Sequence, residues 1–181
     1  MTTSPDSVTY PDADYGVLGP VPALVVNVQD FGADPTGNDD STLAINDALA
    51  SLPAEGGEVV VAPGIYKFSN RLVAKSNTVI SGSGTLYAAP PDEWSGTPTY
   101  LCIVNENNTA SVITDENITI TGITLDMSAH GTSGVNIHGI YMRKAQRIII
   151  NNVAIIGGSS SVALLGCDDT QEIGNKYMNF T

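Results

Sequence analysis

The chain is poor in positive charge, in cysteine and in long apolar runs, and each shortage removes a class of function. Seven Lys and Arg stand against 19 Asp and Glu in 181 residues, a formal net charge of −12. No base precedes Lys67 and none falls between Lys75 and Arg143. Apart from Lys176, the bases form two sparse clusters, Lys67/Arg71/Lys75 and Arg143/Lys144/Arg147. Neither is the basic stripe that a phosphate backbone demands, so nucleic acid is not an expected partner. The acidity also repels an acidic polysaccharide at long range, while leaving a local basic pair able to hold one sugar acid. Two cysteines, Cys102 and Cys167, are too few for a disulfide framework and match no metal or redox spacing. Both are expected as buried thiols. No apolar run approaches the roughly 20 residues of a membrane helix, so no membrane insertion is expected. The start, MTTSPDSVTYPDADYG, lacks the basic and apolar regions of a secretory signal.

What is present favours strands. Charged residues make up only 14% of the chain, and Gly, Ser, Thr and Asn fill the polar side. That composition suits turns and strands better than solvated helices. Residues 1–22 hold four prolines, three acids and no base, and read as an extended N-terminal arm suited to docking on a partner. Residues 23–57 read as a cap. Val25 to Val28 is a short β-type run, DFGADPTGNDD a loop, and Asp39, Asp40 and Ser41 are N-cap candidates. Over 41–52, Ile45, Ala48, Leu49 and Leu52 share one helical face, and Pro53 with Gly56-Gly57 ends the helix.

From residue 58 to 181 the texture becomes short β-rich runs bounded by Gly, Asn, Asp and Ser. NITITGITLDM from Asn117 overlays RIIINNVAIIG from Arg147 at an offset of 30, with Gly122 matched to Asn152. QEIGNKYMNF from Gln171 extends the series at an offset of 23, matching Ile150 to Ile173 and Asn152 to Asn175. Repetition on this scale marks a β-solenoid, whose units bury their faces only by stacking. A sandwich of hairpins would supply similar strands but explains the register less well. The first coil of a solenoid exposes an unpaired edge and an apolar lumen, which is what the strand and amphipathic helix of the cap would cover. No helix or polar unit is evident at the other end, so either the chain is expected to continue past Thr181 or partner chains cover that end.

The segment from Val25 to Leu86 resembles the entry of pectate-lyase-superfamily (pectin lyase-like) proteins, most closely those of phage tail spikes and minor tail proteins. The resemblance rests on V-x-D-F-G-A-D at Val28 to Asp34, D-D-S at Asp39 to Ser41, G-G-x-V-x-x-x-P-G-x-Y at Gly56 to Tyr66, and SGSG at Ser81 to Gly84. It implies an all-β fold, a right-handed parallel β-helix with an N-terminal capping α-helix. These motifs build the fold and specify no activity. The superfamily includes polysaccharide lyases, glycosidases, uronate epimerases and tail spikes.

Glycan chemistry on such a scaffold needs paired carboxylates, or a base with a neutraliser. Asp168 and Asp169 in LLGCDDTQE are the weak catalytic candidates, similar to the adjacent acids of polygalacturonase-like enzymes, although a solvated turn is the better account of them. Strand neighbours face opposite ways, so both reach one groove only from a turn. Alginate-epimerase relatives carry Asp-Pro-His-Glu at a comparable depth, where this chain reads VALLGCDD. Asp126 reads as a turn-former, and His130 and His138 as loop or corner residues without ligand spacing. PPDEWSGTPTYL, Pro90 to Leu101, breaks the period and reads as a loop whose Trp94, with Tyr87 and Tyr100, is the ligand-binding candidate, the alternatives being stacking on sugar rings, burial in a subunit contact, or packing back on the coil. No metal site and no cofactor are expected.

The resemblance, the arm and the incomplete catalytic set lead to the expectation of a virion tail or tail-spike protein. Its arm would attach to other tail proteins, its β-helix would recognise a host-surface polysaccharide, and it would be a homotrimer. The alternative is the N-terminal part of an extracellular polysaccharide lyase, glycosidase or uronate epimerase.

Overall fold

The computed structural model describes residues 24–95, 100–130 and 136–178. Sixteen strands among them wind as successive coils, and every strand pair is parallel. Sheet 1 stacks β1 (Val25–Asn27), β3 (Gly57–Val61), β6 (Thr78–Gly82), β9 (Asp115–Thr121), β12 (Ala145–Asn151) and β15 (Asp168–Ile173). Sheet 2 stacks β2 (Thr36–Asp40), β4 (Ile65–Phe68), β7 (Thr85–Ala88), β10 (Thr124–Met127), β13 (Ala154–Gly157) and β16 (Lys176–Met178). Sheet 3 stacks β5 (Leu72–Ala74), β8 (Tyr100–Asn105), β11 (Ile137–Arg143) and β14 (Ser160–Leu165). The fold is an all-β right-handed parallel β-helix with, among the described residues, one α-helix, α1 (Thr42–Ser51).

The alternation of apolar and polar residues becomes columns in the lumen. Val59, Ile80, Ile120 and Ile150 stack across sheet 1, and Tyr66, Leu86, Leu125 and Ile155 across sheet 2. All eight are buried, and each contributes roughly 1.5–3 kcal/mol by leaving water. Because strand side chains alternate in direction, a one-residue slip would empty a whole column into solvent, which fixes the register.

The corner before sheet 1 is set by backbone conformation. Gly56, Asn77, Asn117, Arg147 and Asp169 occupy equivalent positions in successive coils, and all five have positive φ. Asn and Asp tolerate that region better than most residues, which explains three of the five. A second corner, between sheets 1 and 2, repeats the device at Gly82, Gly122, Asn152 and Gly174.

The helix lies where a sheet 3 strand of the first coil would be, and it supplies that strand's bonds. Asn46 Nδ2 donates to the Arg71 carbonyl at 2.9 Å, while Asn46 Oδ1 accepts from the Val73 N–H at 2.9 Å. One side-chain amide thus completes the ladder at the open edge of β5. Lys75 Nζ donates to the carbonyls of Ala50 and Leu52, satisfying the C-terminal end of the helix. Ile45, Ala48, Leu49 and Leu52 form its buried face, as their spacing requires.

Several expectations need correction. Part of the anticipated loop DFGADPTGNDD is strand β2, paired irregularly with β4 through Thr36↔Ile65 and Asp40↔Lys67. Ser41 is the N-cap by position, but its hydroxyl accepts from the Asp34 N–H, and the Asp40 carboxylate accepts from Thr42 N–H instead. The last repeat is offset by 22, not 23: Ile150 pairs with Glu172 and Asn151 with Ile173. The corner decides this, because Gly174, not Asn175, takes the positive φ that matches Asn152. The slip leaves Thr170, Glu172 and Tyr177 beneath Ile148, Ile150 and Ile155, a polar layer that repeat matching had missed, with the Tyr177 hydroxyl donating to Glu172. Cys102 is a buried thiol whose pKa burial pushes up, whereas Cys167 is only half-buried. The proposed arm, residues 1–22, lies outside the described residues.

Candidate functional site

Three surface regions carry the candidate residues. The first is the corner leading into sheet 1. Asp168 pairs with Gln146 and Gln146 with Glu116, so these three form a row along the corner. Glu116 accepts from Gln146 Nε2 at 2.8 Å and from the Arg147 guanidinium, whose Nε also donates to Asn117 Oδ1 at 2.6 Å. The hydrogen bond from Gln146 and those from Arg147, with the attraction of its charge, hold the Glu116 carboxyl below its ordinary range. Asp168 and Asp169 are both exposed at the start of β15. Asp169 sits in the corner with φ 49°, so these adjacent acids lie on the turn that would let both face one side. Arg147, their neighbour, reaches back to the preceding coil and makes its ion pair with Glu116.

The second region is the corner between sheets 2 and 3, where the chain leaves the coil after β7 and again after β10. Trp94 meets Phe68, Tyr100 and His130 edge-on, at ring-centroid distances of 5.8, 5.5 and 5.6 Å, and Tyr100 meets His130 at 4.9 Å. Edge-to-face contact at this spacing suits aromatic quadrupoles. His130 is 4% exposed in a 3-10 turn (Ser128–His130), and burial pushes its pKa down. Trp94 and Tyr100 are half-buried against the core. Two of the three aromatic candidates are thus brought together, and their edges are spent on each other and on Phe68. His130 takes the corner position expected of it and is packed into this cluster, whereas His138, also expected in a loop or corner, lies within strand β11.

The third region is the outer face of sheet 2. Tyr87 stands apart from Trp94 and Tyr100, in a row that runs Asp40, Lys67, Tyr87, Asp126, Ile156. Neighbouring rungs lie about 4.8 Å apart, so the half-buried phenol is flanked by a cation on one side and a carboxylate on the other. Lys67 Nζ also reaches Glu93 at 3.2 Å. Asp126 accepts from the Ser128 N–H at 2.9 Å and so serves the turn as expected, while its row position keeps it beside Tyr87. An aromatic face between fixed charges is chemically suited to stacking a sugar ring and orienting its hydroxyls.

Sequence reasoning missed the buried polar bridge between β8 and β9. Asp115, 1% exposed, accepts from Asn105 Nδ2 at 2.6 Å, from the Asn107 N–H at 2.8 Å and from Asn107 Nδ2 at 2.7 Å. Asn105 also exchanges hydrogen bonds with the Arg143 backbone. This network closes the loop 106–114 onto the coil. The run NENN was its only sequence signal, since closely spaced amides suit an irregular loop. Among the described residues no cluster of three metal-ligating side chains occurs, and no helix is long and apolar enough to cross a membrane.

Residues 25–92 match a family model described as "Rhamnogalacturonase A/epimerase, pectate lyase-like". No curated protein sequence matches the chain. Among solved structures, the family 28 exopolygalacturonase of Yersinia enterocolitica superposes with a TM-score of 0.70 at 17% identity, over 86% of this chain and 39% of that one. ORF18 of Geobacillus virus E2 superposes with a TM-score of 0.57 at 18% identity, over 75% and 28%. The A-module of the Azotobacter vinelandii mannuronan C-5 epimerase AlgE6 gives 0.60 at 19%, over 82% and 42%. The chain therefore spans less than half the length of each of these three. With its three parallel sheets, and an opening over residues 25–92 that matches the family model, the chain shares the right-handed parallel β-helix fold of these pectin lyase-like structures.

Proposed function

We infer that the protein is a glycan-recognising β-helix of the virion tail or tail-spike kind, binding a host-surface polysaccharide through the outer face of sheet 2. The observation that carries this reading is the row Lys67, Tyr87, Asp126, an aromatic ring held between opposite charges on a rigid sheet. Rigid placement lowers the ordering cost of binding, and the phenol offers a sugar both a flat apolar face and a hydroxyl. The similarity to a bacteriophage protein supports the virion assignment. Attachment through residues 1–22 and a homotrimeric assembly belong to the same proposal.

Asp40 and Glu116, two outer-face carboxylates with shifted acidity, are both pushed down, so neither is suited to donate a proton in glycoside cleavage. A general acid for glycoside cleavage needs the opposite shift. The second reading is that of a segment of a polysaccharide-active enzyme, favoured by the family model and by the exopolygalacturonase and epimerase similarities. Asp168 and Asp169 are then the acids to test.

The deciding experiment is a glycan array on the wild type and on Tyr87→Ala, followed by a reducing-end and unsaturated-product assay on every glycan bound. Binding that falls at least about tenfold in Tyr87→Ala without product supports recognition. Product formation that disappears in Asp168→Asn or Asp169→Asn would transfer the protein to the enzyme reading. Binding indifferent to Tyr87 would remove the sheet 2 face from consideration.

A further inference from the structure

The cation next to Tyr87 is already held by carboxylates of the chain itself. Lys67 Nζ lies 3.2 Å from Glu93, and the Lys67 side chain is only 20% exposed. On the adjoining rung stands Asp40. Burial works to raise the Asp40 pKa, yet hydrogen bonds from Ser69 and Thr42 and the attraction of Lys67 hold it below its ordinary value, so it stays charged. Glu93 is fixed by the segment that carries it. Its N–H donates to the Pro90 carbonyl at 2.9 Å, the Ser95 N–H donates to the Ser69 carbonyl at 2.9 Å, and Trp94 packs on Phe68. Phe68 and Ser69 directly follow Lys67 in the chain, so the segment is clamped alongside the cation it neutralises.

On the other side of the ring, Asp126 accepts from the Ser128 N–H on one carboxylate oxygen and has, among the described residues, no donor on the other. The strands that carry Tyr87 and Asp126 also pair Thr85 with Thr124, half-buried on the same outer face. The other cation of the sheet 2 strands, Lys176, is three rungs from the strand of Tyr87. That separation is about 14 Å, beyond a Debye length at physiological salt. Around Tyr87, Lys67 thus faces three carboxylates, those of Asp40, Glu93 and Asp126.

We propose that the sheet 2 face takes an uncharged glycan and rejects uronic acids, with Glu93 as the residue that sets this choice. The inference rests on the glycan reading and names its ligand class. A sugar carboxylate seated on Tyr87 would lie within a rung of Asp126 and would find Lys67 occupied. An exposed ion pair is weak by itself. Glu93, however, is tethered beside Lys67, so an incoming carboxylate competes with an intramolecular one of high effective concentration. A neutral sugar meets no such opposition. Its hydroxyls donate to Asp126 and exchange hydrogen bonds with Thr85 and Thr124, while its apolar face lies on the phenol. The net charge of −12 acts in the same direction, because it slows the encounter with any polyanion.

The test is a glycan array on the full chain in which each neutral glycan is paired with its C6-oxidised uronate and each uronate with its carboxyl-reduced form. Affinities of all binders are then measured in low and high NaCl. The wild type should hold the neutral member of a pair at least about tenfold more tightly, and its neutral binding should change less than about twofold with salt. Glu93→Gln, which leaves the Lys67 charge to the ligand, should move the ratio at least about tenfold toward the uronate. Circular dichroism establishes that the variant folds, and the wild-type ratio and salt dependence decide the matter if it does not. A uronate held more tightly by the wild type and lost in Tyr87→Ala overturns this inference and leaves the glycan reading standing. Neutral binding that falls about tenfold in high salt, or a ratio unmoved in folded Glu93→Gln, overturns it as well. An array without binders, or binding indifferent to Tyr87, overturns both.

Discussion

Asn46→Ala tests whether the helix is an integral part of the β-helix or a decoration on its end. Two effects of opposite sign compete. Alanine is the better helix former by roughly 0.6 kcal/mol, so at a merely solvent-facing position the substitution would stabilise the protein. Asn46, however, completes the edge of β5 with two hydrogen bonds of 2.9 Å, to the Arg71 carbonyl and from the Val73 N–H. Each contributes about 1 kcal/mol net, and the partners freed by the substitution lie against the helix, where water reaches them incompletely. The balance is a loss of about 1–1.5 kcal/mol, or roughly 2–6 °C in Tm for a domain of this size. Thermal unfolding followed by circular dichroism or calorimetry reads it directly. An unchanged or raised Tm would refute the idea that the amide substitutes for a strand, because the sign of the change separates the two accounts.

Three further outcomes follow from the same physics. Asp115→Ala strands Asn107 and half of the donors of Asn105 in a buried corner, and should lower stability by about 3 kcal/mol in chemical denaturation, with Asp115→Asn losing less. Arg147→Ala should let the Glu116 pKa climb back toward 4.5, which a carboxyl NMR titration would record; an unmoved titration would show that the ion pair does not persist in solution. His130 and His138 are both held below their ordinary pKa of 6.5 by burial, so their neutral forms contribute stability that is complete above pH 6.5 and is lost as pH falls through the lowered values. The Tm should therefore decline on the acid side of pH 6.5 before the carboxylates titrate, and His130→Phe should flatten part of that decline.

The fold was legible because its strongest constraints are local and periodic. The offset of 30 between the repeats beginning at Asn117 and Arg147 is the observed register, Ile118 against Ile148 and Ile120 against Ile150. It could be read because both columns are filled by isoleucine. The next offset was misread by one residue because that column runs into Thr170 and Glu172, which carry no apolar signal, while Ile173 lies 52% exposed in the neighbouring row. Only the corner conformation, positive φ at Asn152 and Gly174, fixes the alignment there. The aromatic candidates show the same limit from the other side. Trp94, Tyr87 and Tyr100 are near one another in sequence, yet Tyr87 belongs to an outward row of a sheet while Trp94 and Tyr100 fold over Phe68. Which side of the coil a loop residue joins depends on rungs contributed from about 30 residues away, and no local pattern encodes that.

Coil length shows where this chain departs from the minimum its fold requires. Measured along the corner that holds Gly56, Asn77, Asn117, Arg147 and Asp169, successive coils take 21, 40, 30 and 22 residues. The first and last intervals are close to the least that three strands and three corners can use. The surplus of the second interval lies in the segments after β7 and after β8, and that of the third lies after β10. All three segments adjoin a strand of sheet 3. Two of them are held by features that a plain coil lacks, Trp94 against Phe68 and His130 in one case, Asn107 on Asp115 in the other. The additional chain is thus anchored by specific contacts around sheet 3. Shortening the segment after β8 by removing residues 107–112 should therefore destabilise the protein through the lost acceptance at Asp115, where trimming an unanchored loop would be neutral or slightly stabilising by loop-closure entropy. A rise in Tm on that deletion would break the link between the surplus chain and the polar bridge beneath it.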